Sequence, residues 1–176
     1  MNKQLKKTMK ESDKLCIGCG IHAMKGFINV DIGPFQGVDV VHDLNVVPYP
    51  FKSNSFRLVV GHHVLEHLTD VTQVMDELYR ICKDKAEVII TVPYYHSQGA
   101  FQDITHKHFF AVTSFDYFSD KWVHKYTDSQ FRVKKVRMIP TRLGKCFPPS
   151  LRHWASLVFG EIIRELTFEL EVVKRK

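Results

Sequence analysis

The chain has 176 residues, of which 44% are hydrophobic and 25% are charged, and its net charge is +6 with histidine counted as neutral. This composition excludes a disordered chain, and the length fits one domain that needs no disulfide or metal ion to hold it together. The basic excess permits an anionic partner, but no aromatic residues interleave with the basic clusters, which argues against a nucleic-acid partner.

The cysteines and the amino-terminal segment indicate a cytoplasmic protein. Four cysteines are too few and too irregularly spaced for a disulfide framework, which favours a reducing compartment. The basic segment 1–13 lacks the apolar stretch of a signal peptide, and no run of about 18 apolar residues could span a bilayer. We expect one domain over residues 14–176, in a monomer or homodimer.

Strands and helices alternate along the chain, which predicts an α/β architecture. The predicted strands cover residues 14–17, 27–32, 38–43, 56–61, 87–92, 130–139 and 167–173. The second to fifth are almost continuously apolar, as in parallel strands buried on both faces, whereas the last two alternate, as in an antiparallel edge pair. The predicted helices cover residues 70–83, 114–124 and 151–165.

The clearest helix is the first, because its apolar residues recur three and four positions apart and form one stripe. Thr69 or Asp70 is a suitable residue to cap its amino terminus. The connections 18–26 and 33–37 are too short for the crossover of about a dozen residues that parallel strands normally need. We therefore expect irregular loops or a single turn there, and one sheet face that is less covered.

Chemically informative residues follow the first three strands. The segment 15–20 reads Leu-Cys-Ile-Gly-Cys-Gly, and glycines at the carboxyl end of a parallel strand let a ligand approach the backbone. Asp31 ends the second strand and could accept hydrogen bonds from both hydroxyls of a ribose. Asp43 could accept one from an exocyclic amino group, with Leu44 against an adenine face. The alternatives are a plain tight turn for the glycines, an exposed residue at the strand end for Asp31, and a turn-forming role for Asp43.

The pattern differs from that of a dinucleotide site. Such a site has a third glycine opening a helix and an acidic residue about 20 positions further on. Here Ala23 occupies the third glycine position, and Asp31 follows Gly20 by only eleven residues. Without a helix amino terminus there is no cradle for a pyrophosphate. A ligand with ribose and adenine but no phosphate, such as S-adenosylmethionine, fits better.

Residues 14–93 resemble class I S-adenosylmethionine-dependent methyltransferases of the type-11 group. The matching segments are 15–20, 29–31, 43–44, 48–51, 56–60, 63–68 and 92–93. The resemblance implies a Rossmann-like open twisted sheet of seven strands in the order 3-2-1-4-5-7-6, with the seventh antiparallel and the first helices abbreviated. It also implies S-adenosylmethionine as the cofactor.

The resemblance assigns positions along the cofactor. Gly18 and Gly20 would lie beside its amino-acid portion, Asp31 on the ribose, and Asp43 with Leu44 at the adenine. The methionyl or methyl end would face His62 and His63. The complete set of implied cofactor-binding residues is Cys16, Gly18, Cys19, Gly20, Asp31, Ile32, Asp43, Leu44, His62 and His63.

Two positions depart from the pattern of the family. The family usually has an acidic or amide residue where Cys16 stands, and a thiol is a poor hydrogen-bond acceptor for the cofactor's ammonium group. The sequence Asp-Lys-Ala at 84–86 replaces the glycine pair that usually precedes the fifth strand.

Histidines supply the candidate catalytic groups. Transfer to a hydroxyl or ammonium group requires a base, and histidine titrates in the right range. His106, in a candidate acceptor-binding loop at 103–110, is the predicted base, with His63 second. Structural or pocket-lining roles are favoured over a metal site for the histidines, because no segment has strong ligand spacing. The pair Cys16 and Cys19 lacks a second ligand pair, so no zinc or redox site is predicted.

The segment 61–64 constrains the acceptor. It reads Gly-His-His-Val where enzymes that methylate nucleic-acid adenine at N6 have Asn/Asp-Pro-Pro-Tyr/Phe. We therefore expect S-adenosylmethionine-dependent methyl transfer to a small-molecule acceptor or to a saccharide- or lipid-linked one. The alternative is a non-catalytic S-adenosylmethionine-binding module that acts through a partner.

Overall fold

Seven strands form one mixed sheet in the computed structural model, which describes residues 12–120 and 126–174. The strands are β1 (Lys14–Ile17), β2 (Ile28–Asp31), β3 (Val40–Val41), β4 (Phe56–His62), β5 (Cys82–Pro93), β6 (Phe131–Pro140) and β7 (Ile163–Val172). Their order across the sheet is β3-β2-β1-β4-β5-β7-β6, as predicted. β1 to β5 pair in parallel, and β7 is antiparallel to both β5 and β6. The predicted α/β fold class is confirmed.

The helices are short apart from one. The α-helices are α1 (Val71–Ile81), α2 (Gln98–Phe101) and α3 (Arg152–Val158), and 3-10 helices cover Leu65–His67, Ser114–Phe118 and Gly144–Cys146. In the part of the chain that the structure describes, no helix combines the length and apolar character that crossing a membrane requires.

Helix α1 forms where its apolar stripe predicts it. Asp70 caps the amino terminus, since its side chain accepts a hydrogen bond from the Gln73 backbone N–H at 3.0 Å. Val74, Met75 and Leu78 are all buried against the sheet. The helix ends two residues before the predicted boundary, because Cys82 already pairs with Phe56 at the start of β5.

The connections between the first strands are irregular, as the spacing predicts. Within residues 18–27 and 32–39 no helix is present. The turn after β1 is held by the Cys19 N–H, which donates to the Val30 carbonyl at 3.2 Å, and by the side chain of Asn29. That side chain accepts from the Met24 N–H and donates to the Met24 carbonyl. The third strand is shorter than predicted, with only Val40–Val41 paired.

Two predicted helices are wrong in extent. The helix predicted over 151–165 ends at Val158, and from Ile163 onward the chain forms β7, which pairs with β5 and β6. From Leu166 to Val172 every second residue is buried, which is the period of a strand. The helix predicted over 114–124 is only a 3-10 helix at Ser114–Phe118, and its part from 121 onward lies outside the described residues.

Candidate functional site

The carboxyl ends of β1 to β4 meet at one edge of the sheet, where several cavities adjoin. The first, which we call the aspartate cavity, has a volume of about 330 Å³. It is lined by Gly18, Asp31, Ile32, His42, Asp43, Leu44, Asn45, His63, Val64, His67 and Leu68. Five of the predicted cofactor-binding positions that follow β1 to β3 therefore face one space, together with His63.

Asp31 is buried at the end of β2 and holds the glycine turn in place. Its Oδ2 accepts the Gly20 N–H at 2.8 Å, and its Oδ1 accepts the Gly33 N–H at 3.1 Å. A carboxylate has about four acceptor positions, so each oxygen keeps capacity for one more donor. The geometry thus leaves Asp31 able to accept from a pair of neighbouring hydroxyls.

Gly18 lies against Val64 so closely that no side chain fits. A Cβ at this position would be 2.4 Å from Val64 Cγ2, and the backbone has φ +59°. Gly20 also has a left-handed backbone, at φ +51°, but its surroundings are open. The first glycine is therefore required by packing as well as by conformation, while the second is required by conformation alone.

The far wall of the aspartate cavity is built by the segment after β3. Asp43 Oδ1 accepts from both the backbone N–H and the side-chain amide of Asn45 at 2.9 Å, and its Oδ2 makes no hydrogen bond within the described residues. Leu44 is buried, and its carbonyl accepts the hydroxyl of Tyr49 at 2.9 Å. An acceptor oxygen and an apolar surface thus lie side by side.

The second cavity, the cysteine cavity, has a volume of about 730 Å³ and adjoins the first through Gly18 and His63. It is lined by Cys16, Gly18, Cys19, Gly20, Ile21, His22, Met24, Val60, His62 and His63. Burial, together with Cys19 and Asp31, raises the pKa of the Cys16 thiol to about 11. Burial and the nearby Asp31 also raise the pKa of Cys19. Both positions are free, neutral thiols at neutral pH.

His63 lies where the cavities meet and has a left-handed backbone with φ +50°. Its Nδ1 is 3.0 Å from Glu66 Oε1, and its Nε2 is 3.4 Å from Glu165 Oε1. The hydrogen bond to Glu66 and the two carboxylate charges raise the pKa of His63 against the opposing effect of burial. Burial and the proximity of His63 lower the pKa of His62. Of the two neighbouring imidazoles, that of His63 is therefore protonated more readily than that of His62.

The third cavity, the histidine cavity, has a volume of about 320 Å³ and contains His106. It is lined by His63, Glu66, His67, Pro93, Gly99, Gln102, Asp103, His106, Arg164 and Glu165. The backbone carbonyl of Glu66 accepts the Lys107 N–H at 2.7 Å, which holds the 103–108 loop against the 3-10 helix. His63 and His67 are not neighbours on an α-helix, because residues 65–67 form a 3-10 turn.

The structure brings together all the residues that the sequence predicts for the site. The ten cofactor-binding candidates line the aspartate and cysteine cavities, and the catalytic candidates His63 and His106 line the histidine cavity. Sequence reasoning assigned no role to Val64, Glu66 or Glu165. Glu66 and Val64 lie within the matching segment 63–68, but nothing in the sequence signals that a glutamate there is fully buried.

Comparison with known proteins agrees with this geometry. Residues 33–90 match a family model described as a methyltransferase domain, which includes Asp43 and the segment 63–68 but begins after the glycine turn and Asp31. No curated protein matches the sequence.

Solved structures resemble the chain over almost its whole length. The YcgJ protein from Bacillus subtilis has a TM-score of 0.61 at 14% identity, with 98% of each chain covered. An S-adenosylmethionine-dependent methyltransferase from Mesorhizobium loti has a TM-score of 0.59 at 13% identity, with 95% of each chain covered. One from Thermotoga maritima has a TM-score of 0.58 at 17% identity, with 97% of this chain and 88% of the other covered. The chain therefore has the Rossmann-like fold of these methyltransferase structures, and residues 33–90 are similar in sequence to a methyltransferase domain.

Proposed function

We propose that the protein binds S-adenosylmethionine across the aspartate and cysteine cavities and transfers its methyl group to an acceptor in the histidine cavity. The observation that carries this proposal is that Asp31, Asp43 and the bare backbone of Gly18 face one space. Asp31 keeps acceptor capacity for the two ribose hydroxyls, and Asp43 has an unused Oδ2 for the adenine amino group. Buried Leu44 offers an apolar surface to the base.

The cysteine cavity would take the methionyl end. The glycine turn exposes backbone there, and Cys16 and His62 line the cavity. Because the Cys16 thiol is neutral, it offers no charge to the ammonium group of the ligand. His63 lines all three cavities, so the reactive methyl group would lie beside it.

The acceptor would enter through the histidine cavity, whose lining is polar and carries both charge signs. Arg164, Asp103 and Gln102 offer donors and acceptors suited to a small polar molecule or to the head of a saccharide- or lipid-linked one. When bound, the cofactor supplies a methyl group whose bond electrons remain on its sulfur. The protein aligns the acceptor with that carbon and excludes water. We propose that His106 promotes loss of the acceptor proton, with His63 as the second candidate.

Substitution of Asp31 and Asp43 tests cofactor binding. Asp31→Asn removes charge-assisted hydrogen bonds worth about 1.5–3 kcal/mol, so the affinity for S-adenosylmethionine should fall roughly 10- to 100-fold. Asp43→Asn should weaken it by a smaller factor, because fewer contacts depend on its charge. Calorimetry with S-adenosylmethionine and S-adenosylhomocysteine measures both, and thermal unfolding checks that the variants fold. Glu87→Gln, on the exposed part of β5, is the control.

A screen of acceptor pools for methyl release then tests turnover. His106→Gln should lower turnover about 10²- to 10⁴-fold, the usual worth of assisted proton transfer, while cofactor affinity stays unchanged. Unchanged turnover would remove His106 from the mechanism. Tight cofactor binding without turnover on any pool would instead support the non-catalytic module. The neutral thiol of Cys16, which provides no charge for the ammonium group, favours that second candidate.

We also propose a reducing, cytoplasmic environment and a monomer or homodimer. The support for the first is that Cys16, Cys19, Cys82 and Cys146 are all free. Light scattering of the purified chain measures the oligomeric state.

A further inference from the structure

Glu66 is the most unusual polar residue of the site. Its side chain has no exposed surface, yet it is a carboxylate. Oε1 accepts a hydrogen bond from His63 Nδ1, whereas the buried Oε2 has no hydrogen-bond partner within the described residues. A buried carboxylate oxygen without a partner is costly, and the hydrogen bond from His63 compensates the desolvation of Oε1 only. The fold therefore keeps a strong acceptor in a position that calls for a cation.

Two imidazoles beside Glu66 have the same free ring nitrogen. His106 Nδ1 is 2.8 Å from the Ala100 carbonyl, which can only accept, so Nδ1 carries the hydrogen and Nε2 carries the lone pair. His67 Nδ1 is 2.8 Å from Thr105 Oγ1. That hydroxyl donates its own hydrogen to Asp103 at 2.7 Å and therefore accepts from His67. Both Nε2 atoms are thus left with lone pairs.

This arrangement is typical of metal-binding histidines. A ligating histidine generally donates its other ring N–H to a carbonyl or carboxylate, which fixes the tautomer and the ring orientation. His106 does so directly, and His67 does so through Thr105 to Asp103. The hydrogen bonds from Thr105 lower the pKa of Asp103, so the terminal acceptor of this chain is an anion.

The three side chains lie close together. Ligand atoms of Glu66, His67 and His106 lie within 4.8 Å of one another, at the wall of the histidine cavity. Neighbouring ligands around a transition metal ion are roughly 3 Å apart, so the half-buried imidazoles must move slightly toward the fixed carboxylate. We propose that Glu66, His67 and His106 bind a divalent transition metal ion, through the carboxylate and the two free imidazole nitrogens.

The ligand set indicates the kind of ion and its use. Two imidazoles and one carboxylate suit zinc or ferrous iron rather than calcium or magnesium, and three protein ligands leave coordination positions open. These positions would face the histidine cavity. A second group, His62, His63 and Glu165, also places its ligand atoms within 4.8 Å. It is less suited, because Glu165 is already paired with Arg164 and His63.

The role of the ion rests on the proposed function, whereas its binding does not. An acceptor hydroxyl bound to a divalent cation loses its proton more readily. His106 would then promote proton loss as a ligand of the ion rather than as a free base. The open positions would select acceptors that carry a hydroxyl or another oxygen donor.

The test begins with the full chain, from which a chelator has removed any metal. This chain is then titrated with Zn²⁺ and, separately, with Co²⁺. We expect one ion per chain by calorimetry, and a visible absorption band of bound Co²⁺ that shifts when a histidine ligand is removed. Glu66→Gln, His67→Asn and His106→Asn should each weaken binding at least tenfold. Thr105→Val should weaken it about tenfold through the orientation of His67, as loss of an outer hydrogen bond does at metal sites.

His108→Asn is the matched control, because His108 lies in the same loop but faces the Thr69 carbonyl at 3.3 Å. Its metal affinity should equal that of the original chain. Should Glu66→Gln fail to fold, His106→Asn still tests the site, since His106 lies in a surface loop. Absence of stoichiometric binding, or equal affinity in the His106→Asn and His108→Asn variants, would overturn the inference. The affinity for S-adenosylmethionine is measured on the same samples. If the chain binds the metal ion but not S-adenosylmethionine, the proposed function is refuted and the metal site is not.

Discussion

At the scale of single residues, the site depends on close contact between backbone and side chain. Gly18 and Gly20 have nearly the same left-handed backbone, but only Gly18 lies against Val64. The two positions therefore separate the cost of conformation from the cost of packing. An alanine in a left-handed backbone costs about 1–2 kcal/mol, and a Cβ forced into a filled space costs about 1–3 kcal/mol more.

Gly20→Ala should lower the free energy of unfolding by about 1–2 kcal/mol, and Gly18→Ala by about 2–4 kcal/mol. Urea denaturation measures both. Val64→Gly removes both Val64 Cγ2 and Val64 Cβ, which would lie 2.4 and 2.6 Å from the new Cβ, so the double variant with Gly18→Ala should be more stable than the sum of the single effects predicts. Additive effects in this cycle would show that the contact with Val64 is not what requires glycine.

The site aspartates could be predicted at this scale, but Glu66 could not. Asp31 and Asp43 follow apolar strands, and the carboxyl ends of parallel strands meet at one edge, so their proximity follows from the pattern. The burial of Glu66 depends on the 103–108 loop, which folds over it from a distant part of the sequence. No local pattern carries that information.

At the scale of elements, hydrophobic spacing and strand pairing explain which helices and strands can be predicted from the sequence and which cannot. The sequence predicts helix α1 correctly because its apolar residues form one stripe at helical spacing. The sequence predicts helix as far as residue 165 because Ile162 continues a helical spacing from Val158, whereas pairing with β5 and β6 makes the chain a strand from Ile163, four residues before the predicted strand begins. Propensity over a short apolar segment does not distinguish these outcomes.

Lys85 gives a prediction at this scale, because it has a left-handed backbone, with φ +61°, in the irregular part of β5 between the paired residues Cys82 and Glu87. It is exposed, so its side chain contributes little there. Lys85→Gly should raise the free energy of unfolding by about 0.5–1 kcal/mol, since relief of the backbone conformation exceeds the added chain entropy. Lys85→Ala keeps the conformational cost and should give no gain. A melting temperature of the glycine variant no higher than that of the alanine variant would contradict this.

At the scale of the whole molecule, the sheet order could be predicted because residues 14–93 resemble a family whose strand order is known, and the observed order agrees. The packing of distant segments could not. Glu77 on α1 accepts the Tyr49 N–H at 2.6 Å, and Arg80 donates to Glu77 and to the Phe51 carbonyl. Tyr49 in turn supports Leu44 at the aspartate cavity. A helix on one side of the sheet thus holds a wall of the site.

This network makes stability depend on pH. The hydrogen bond from Arg80, together with that from the Tyr49 N–H, lowers the pKa of Glu77 in the folded protein. The contribution of Glu77 to the free energy of unfolding is therefore complete above its pKa in the unfolded chain, about 4.3. It is lost as the pH falls through the lower pKa that Glu77 has in the folded protein. Glu77→Gln should cost about 1–3 kcal/mol at pH 7, and this difference should shrink below pH 4. Denaturation of both proteins from pH 7 to pH 3 measures it, and a constant difference would contradict the assignment.

The irregular connection after β1 has a consequence for how long a ligand stays bound. The wall of the cysteine cavity is a turn tied to the sheet by a few backbone hydrogen bonds and one asparagine side chain. Its amide hydrogens therefore exchange with solvent by small local openings, while those of the central strands wait for global unfolding. If S-adenosylmethionine binds there as proposed, we expect its dissociation to depend on the same openings, so that residence time and sheet stability vary independently.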